Sequence, residues 1–236
     1  MSDQIDTRIT ASLHPGNVRA LADFSEADAS FVGQVETAFS TAFEGLRQVH
    51  DAREAARKNP TWNEAQQIIA TDDLARKTLD RATRAFDSAK ANLDKTISSY
   101  EAQLTQPVEA KAALSVCAEI RAHVKGLTVP ERLKFVQDAI ANGDHTSASA
   151  VLGAPSYLSG LEGETAAAFT RHYHETGSPE VARRVRLMKA ARGLITDKGG
   201  LIFKETEKAV GMRPDRVAAL RRAKDDAERA FILKDA

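Results

Sequence analysis

The sequence predicts an all-α protein in which a long antiparallel coiled-coil helical hairpin is followed by a bundle of shorter helices. Three observations carry this prediction: two long heptad runs, capping residues where helices should begin, and no convincing alternating strand. In a heptad run, apolar residues recur at alternating spacings of three and four, so one seam of the helix faces a partner helix. The chain has 236 residues, enough for one or two domains.

The first heptad run lies in a helix predicted from Ser25 to Arg57. Ser25 can cap this helix, and Asp28 three residues later completes a capping-box arrangement. Arg53 occupies an a position of the run, where a charge costs stability but can set the register. The predicted seam residues of this helix are Val32, Val35, Phe39, Ala42, Leu46 and Val49.

The second heptad run lies in a helix predicted from Thr61 to Leu104, with Thr61 and Glu64 as a capping box and Asp72 on an a position. The short break at residues 58–60 predicts that the two helices fold back antiparallel. Whether the seam closes within one chain or between chains stays open, and an intramolecular hairpin is favoured. The predicted seam residues of this helix are Leu79, Ala82, Phe86, Ala89, Leu93 and Tyr100.

The domain prediction has three parts. Residues 1–24 form a flexible N-terminal arm, because Pro15 and Gly16 block a long helix; residues 25–105 form the hairpin; residues 107–236 form a small helical bundle with basic C-terminal helices. A β-hairpin at 194–203 competes with a helix–glycine–helix junction, and the junction is favoured. The predicted helices of the bundle are 107–125, 128–142, 147–152, 162–175, a longer basic helix from Pro179, and a last helix from Pro214 to about Leu233.

The catalytic and metal-binding inventory of the sequence is poor. A single cysteine, Cys117, excludes an intramolecular disulfide framework, and its apolar neighbours predict a buried thiol. His172 and His174 are two residues apart and diverge on a helix, while His50 is predicted to flank the seam as a solvated or interfacial residue. No HExxH, phosphate-binding glycine loop or GxSxG motif occurs. We therefore expect no enzyme activity, catalytic residue, cofactor or metal, although an active site assembled from distant residues stays open.

No apolar run approaches the ~20 residues that cross a bilayer, and residues 1–10 lack the layout of an export signal. These features predict a cytoplasmic protein without a membrane partner. The net charge is zero, but it is unevenly distributed. Residues 179–236 contain 15 of the 33 basic and 9 of the 33 acidic residues, which leaves 18 and 24 for residues 1–178. The C-terminal segment is therefore basic, as expected of a region that binds anions or an acidic surface of another copy.

Part of the basic segment fits a helix-turn-helix. In residues 207–220, Gly211 can occupy the turn, and Val210, Met212, Val217 and Leu220 fall at the expected apolar offsets. The misfit is Glu207, where close helix packing favours a small residue, and simple amphipathic helices explain the same pattern. The candidate nucleic-acid contacts are Arg183, Arg184, Arg213, Arg216, Arg221 and Arg222.

The middle of the chain carries a local resemblance. Thr128–Arg132, Ala139–Ile140, Gly143–Asp144 and Ala150–Leu161 together are similar to a segment of uncharacterised helix-rich proteins of tailed bacteriophages and prophages. The resemblance covers about 35 residues and implies no activity; it suggests a virion or assembly component. In the same segment, four apolar residues could form a docking knob or a small satellite core, and the core is favoured: Leu152, Tyr157, Leu158 and Leu161.

The leading functional prediction is a non-enzymatic structural, assembly or protein-interaction protein, phage-associated and acting through coiled-coil and charge-complementary contacts. Its partner would be another protein or a second copy, in the host cytoplasm or a virion. The alternative is a DNA-binding or regulatory protein that uses the basic C-terminal helices. Partner identity, oligomer number and virion position are not determined by the sequence.

Overall fold

The structure is a computed structural model that describes residues 6–231. Over that range the chain forms short 3-10 turns and α-helices without any strand, which confirms the predicted all-α class. The 3-10 turns are Ala11–Leu13 and Glu26–Asp28. The helices are α1 (Gly16–Arg19), α2 (Ala29–Arg57), α3 (Glu64–Leu104), α4 (Leu114–Gly126), α5 (Val129–Ala141), α6 (His145–Leu152), α7 (Ser156–Ser159), α8 (Gly163–Gly177), α9 (Pro179–Lys198), α10 (Leu201–Val210) and α11 (Pro214–Arg229).

The glycine pair at 199–200 joins two helices, as favoured from the sequence. α9 ends at Lys198 and α10 begins at Leu201, so the competing β-hairpin at 194–203 is not formed. A Cβ on Gly199 would lie 2.7 Å from the carbonyl oxygen of Ile195, so only glycine lets the backbone turn this closely on the end of α9.

Capping boxes are present at the starts of α5 and α3, and the one at α3 is formed by residues other than those predicted. At the start of α5, the backbone N–H and the hydroxyl of Thr128 both donate to Glu131, at 3.0 and 2.6 Å. At the start of α3 the predicted Thr61 cap is wrong. Asn63 and Gln66 form the reciprocal pair instead, each side chain accepting from the other residue's backbone N–H, at 2.9 and 3.1 Å.

The chain divides into two compact units whose boundaries differ from the predicted domains. Unit 1 comprises residues 6–94 and 187–231 of the described chain, and unit 2 comprises residues 95–186. The predicted boundary near residue 106 therefore does not separate them. The reason lies in the C-terminal helices: α10 packs on α2, so the end of the chain joins the N-terminal helices and not the short helices of the middle.

In unit 1, α2 and α3 meet at three levels along their length. Gln34 accepts a 2.7 Å hydrogen bond from Asn92, the rings of Phe39 and Phe86 make an edge contact at 4.9 Å, and Gly45 lies against Thr78. Residue numbers thus rise along one helix as they fall along the other. The predicted seam residues of α2 are all buried, as are Ala82, Phe86, Ala89 and Leu93, whereas Leu79 and Tyr100 are half-buried.

The described part of the predicted flexible arm is folded against α2. Residues 1–5 lie outside the described residues, but Leu13 and Val18 are completely buried, and both the 3-10 turn at 11–13 and α1 contact α2. Arg8 forms ion pairs with Asp6 at 2.6 Å, with Asp51 at 2.7 Å and with Glu54 at 2.9 Å. Pro15 and Gly16 do prevent a long helix, yet the short turns around them still bury apolar side chains.

Unit 2 packs around α6, whose residues 148–152 are all buried. Helices α4, α5 and α8 contact α6 from different sides, and α4 also contacts α7. Of the four apolar residues for which a satellite core was favoured, Leu152 and Leu161 belong to this core, whereas Tyr157 and Leu158 are exposed. The satellite-core prediction therefore holds for two residues, and the docking knob stays a prediction. Cys117 is a free and fully buried thiol, as predicted.

The predicted helix 107–125 is wrong at its beginning, because α4 starts only at Leu114. The extended segment before it lies along α6. Val108 contributes to the core, and the backbone N–H of Lys111 donates to the hydroxyl of Ser149 at 3.0 Å. A Cβ on Gly153 would lie 2.5 Å from the carbonyl oxygen of Val108, so the two backbones approach closely. These contacts with α6 replace the helical hydrogen bonds of residues 107–113.

Arg132 joins several backbone carbonyls around the α4–α5 junction. Its guanidinium donates to the carbonyl of Val124 at 3.1 Å, to Lys125 at 3.1 Å and to Leu127 at 3.0 Å, and also to the carbonyl of Gly160. The arginine thereby donates to three carbonyls at and just after the end of α4, and it ties the α4–α5 junction to the residue that follows α7.

Candidate nucleic-acid interface

Helices α10 and α11 are joined by a three-residue turn, Gly211–Arg213. Gly211 has φ +76°, a left-handed conformation that costs glycine nothing but strains other residues, and its N–H donates to the carbonyl of Glu207 at 2.9 Å. Arg213 precedes Pro214, which opens α11 at a position where a missing N–H costs no hydrogen bond. Gly211 therefore lies in the turn between two helices, as the helix-turn-helix pattern requires.

The apolar positions of the pattern hold this helix pair in unit 1. Val210 and Val217 are buried, and Met212 and Leu220 are half-buried. Glu207, the misfit of the pattern, is exposed and lines an open cleft beside the turn, so its carboxylate is not forced into a packed interface.

The six predicted nucleic-acid contacts do not form one set. Arg213, Arg216 and Arg222 are exposed on α11 and just before it. Arg221 points the other way and pairs with Asp72 and Asp73 of α3, each at 2.6 Å, so it joins α11 to the scaffold. Arg183 and Arg184 are half-buried in the part of α9 that belongs to unit 2, outside the unit that contains α10 and α11.

Four cations that sequence reasoning did not select lie around the turn: Arg53 and Arg57 at the end of α2, and Lys204 and Lys208 on α10. A Cβ on Gly211 would overlap the guanidinium of Arg53, so this group lies directly against the glycine. Burial lowers the pKa of Arg53, and the neighbouring charge of Arg57 lowers it further. The sequence did carry a signal for this position, because Arg53 is a charged residue on the otherwise apolar seam of α2.

Two clefts flank the turn and share Gly211 and Met212 as walls. One, of about 440 Å³, is otherwise lined by residues of α10 and by Arg213. The other, of about 330 Å³, lies between α10 and the facing ends of α2 and α3, with both arginines of α2 in its wall. The cations that line the two clefts are Arg53, Arg57, Lys204, Lys208 and Arg213, against the carboxylates of Glu64 and Glu207. The turn is therefore the centre of a basic surface.

The histidines suggest no chemistry of their own. His50 is buried, so of its two predicted positions the solvated one is wrong, and its Nε2 has no hydrogen-bond partner within the described residues. Over residues 6–231, no group of three or more His, Cys, Asp or Glu side chains is placed to hold a metal ion. The same range contains no helix that is both long and apolar enough to span a bilayer.

Comparisons with protein-family models, with curated proteins and with solved structures find nothing that matches this chain.

Proposed function

We propose that this protein is a non-enzymatic nucleic-acid-binding protein in which an antiparallel coiled-coil hairpin, α2–α3, carries the helix pair α10–α11. The observation that supports this function best is the left-handed turn at Gly211, followed by the exposed side chains of Arg213, just before α11, and Arg216, in its first turn. In a helix-turn-helix, the N-terminal residues of the second helix reach the base edges of the major groove.

The charges of α11 suit contact with duplex DNA. Arg213 lies just before α11 and Arg216 lies in its first turn, at the end where the helix dipole attracts phosphate. Arg221 is held by Asp72 and Asp73, so the helix is fixed to the scaffold while its opposite side stays exposed. This division lets one helix both pack and bind.

Nucleic-acid binding is favoured over assembly because of the positions of the seam residues. The sequence favours assembly through the seam, but Phe39 of α2 contacts Phe86 of α3 within one chain and both are buried. A seam that is already covered offers no surface to a second molecule. Beside the Gly211 turn, Arg57 and Arg216 are exposed, and Arg213 is exposed although it pairs with Asp215 at 3.3 Å.

The test is fluorescence anisotropy with labelled duplexes of about 20 base pairs over about 50–200 mM salt, the range in which phosphate contacts lose most affinity. The wild type should bind with an affinity that falls steeply with salt. Arg213→Ala with Arg216→Ala should weaken binding at least tenfold, since ~1–3 kcal/mol is lost at each base contact. The matched control is Arg84→Ala with Lys90→Ala, which removes the same charge from exposed positions on α3.

Two results would contradict the proposal. A wild-type protein that fails to bind any duplex at the lowest salt is not a DNA-binding protein. Equal weakening by the α11 pair and the α3 pair would mean that net charge alone drives binding, with no role for the helix pair.

Self-association or assembly is the second candidate, and exposed apolar side chains in unit 2 favour it. Tyr157 and Leu158 are 72% and 41% exposed on α7, and Val129 is 61% exposed at the α4–α5 junction that Arg132 ties to α7. Exposed apolar groups of this kind are typical of contact surfaces. Light scattering after size exclusion should then give a multiple of 25.6 kDa, and Tyr157→Ser with Leu158→Ser should return it to the monomer mass.

The origin of the protein also stays a proposal. The resemblance between residues 128 and 161 supports a phage-encoded protein that acts in the host cytoplasm or in a virion. Detection of the protein by mass spectrometry in purified particles, or only in infected-cell lysate, would separate the two locations.

A further inference from the structure

The cations around the Gly211 turn come from α2 and from the α10–α11 helix pair, which are far apart in sequence. Arg53 and Arg57 belong to the last turns of α2, Lys208 belongs to α10, and Arg213 precedes α11. The turn is the point at which they converge, because Gly211 lies in the walls of both clefts. Convergence of cations from separate elements needs an explanation, since like charges repel one another.

Arg53 lacks the partner that a half-buried cation normally has. Its Nη1 lies 3.5 Å from the carbonyl oxygen of Lys208, which is long for a hydrogen bond, and no carboxylate pairs with Arg53 among residues 6–231. Its neighbour Arg57 is exposed and adds a second positive charge. By contrast, Arg221 of α11 binds Asp72 and Asp73 at 2.6 Å. Among the described residues, two carboxylates therefore pair with Arg221, whereas Glu64 lines the same cleft as Arg53 without forming an ion pair with it.

We propose that the cleft between α10 and the facing ends of α2 and α3 binds a phosphate of the DNA backbone through Arg53 and Arg57 in its wall. Lys208 of α10, which lines the neighbouring cleft and pairs with Glu205 at 3.5 Å, adds a third positive charge nearby. This inference rests on the proposed nucleic-acid function and assigns to it residues that lie outside the helix pair. A guanidinium presents several N–H donors in a plane that matches phosphate oxygens, and phosphate contacts set the orientation of a helix in the groove without reading sequence. The absence of a Cβ on Gly211 leaves room for the Arg53 guanidinium against the backbone.

The site has a specific role in the proposed complex. With α11 directed at the major groove, the arginines of α2 would contact the backbone that flanks that groove, as the first helix of a helix-turn-helix does. Such contacts raise affinity equally on all sequences and add to the salt dependence, whereas Arg213 and Arg216 would affect sequence preference.

The experiment compares the double variant Arg53→Gln/Arg57→Gln with a charge-matched control, the double variant Arg84→Gln/Lys90→Gln. Each protein is titrated against two labelled duplexes of unrelated sequence. The quantity measured is the slope of log binding constant against log salt concentration. Each lost phosphate contact should make the slope shallower by about 0.9, so the double variant should change it by about 1.8 and Arg57→Gln alone by about half as much. The loss of affinity should be the same on both duplexes.

Each outcome bears on a separate claim. If the wild type binds and the Arg53/Arg57 variant keeps the control's slope, the phosphate site is wrong while the helix-pair function stands. If the wild type binds no duplex, both fail. If Arg53→Gln lowers the melting temperature because Arg53 also packs against α10, the single variant Arg57→Gln, at an exposed position, provides the test. An unchanged slope in that folded variant would overturn the proposal.

Discussion

The packing of the N-terminal arm can be tested with one substitution, Leu13→Ala. Leu13 is completely buried in a segment that contacts α2, and its neighbour Val18 is equally buried. Leucine-to-alanine changes in cores cost about 2–5 kcal/mol, because transfer free energy is lost and a cavity remains. A cost of about 3 kcal/mol corresponds to a fall of roughly 6–12 °C in melting temperature for a protein of this size.

The assay is chemical denaturation followed by circular dichroism, together with hydrogen exchange of the arm amides. The N–H groups of Leu13 and His14 donate to Thr10 and Ala11 at 3.1 and 3.0 Å, so they report whether the arm detaches locally before global unfolding. Leu114→Ala is the matched control, because this leucine is 86% exposed and its truncation should change stability by less than about 0.5 kcal/mol. Equal stability of the two variants, with rapid exchange of the arm amides in the wild type, would refute the packed arm.

Three further predictions concern single side chains. Burial lowers the pKa of His50, with the charge of Arg8 adding to the effect, so the unfolded state binds a proton first as pH falls below about 6.5. Stability should therefore fall from pH 7 to pH 5 in urea denaturation, and less steeply in His50→Gln. Arg221→Ala should cost about 1–3 kcal/mol in the same assay, because it removes a 2.6 Å partner of Asp72, whose side chain is only 13% exposed. Arg132→Lys should lower the melting temperature by several degrees, since an ammonium cannot reproduce the planar set of bonds to four carbonyls.

Each of these predictions has a contradicting result. Parallel pH profiles of wild type and His50→Gln would mean that His50 is solvated after all. Equal stability of Arg221→Ala and the exposed-site variant Arg222→Ala would mean that the Asp72 pair contributes nothing in solution. An unchanged melting temperature in the Arg132→Lys variant would mean that the carbonyl contacts of the guanidinium do not stabilise unit 2.

The long helices were predictable because their determinants are local. The heptad spacing identifies α2 and α3, and the predicted ends at Arg57 and Leu104 agree with the structure. The arm was not predictable in this way. Ile9, Leu13 and Val18 follow neither a helical nor a strand period, so their burial depends on a surface formed by other parts of the chain. The same reason explains the extended segment at 107–113, where contacts with α6 outweigh local helix preference.

The candidate site was predictable in part for a related reason. The turn at Gly211 and the exposure of Arg213 and Arg216 follow from a local pattern of glycine and apolar offsets. The inward direction of Arg221 depends on the position of Asp72, 149 residues away along the chain. The contribution of Arg53 depends on the docking of α10 against α2. Local patterns place residues on helices, but they do not choose which helix side faces a partner element.

Arg53 and Asp72, the two charged residues on the seam, nevertheless indicate where the helix pair α10–α11 docks. A charge on an apolar seam is costly to desolvate unless another group compensates it. Asp72 is compensated by Arg76 of its own helix, at 2.8 Å, and by Arg221 of α11, at 2.6 Å. For Arg53 the chain provides only the carbonyl of Lys208 at 3.5 Å. The charge on Asp72 is therefore neutralised within the fold, whereas Arg53 has no carboxylate partner among the described residues, and this difference is the basis of the proposed phosphate site.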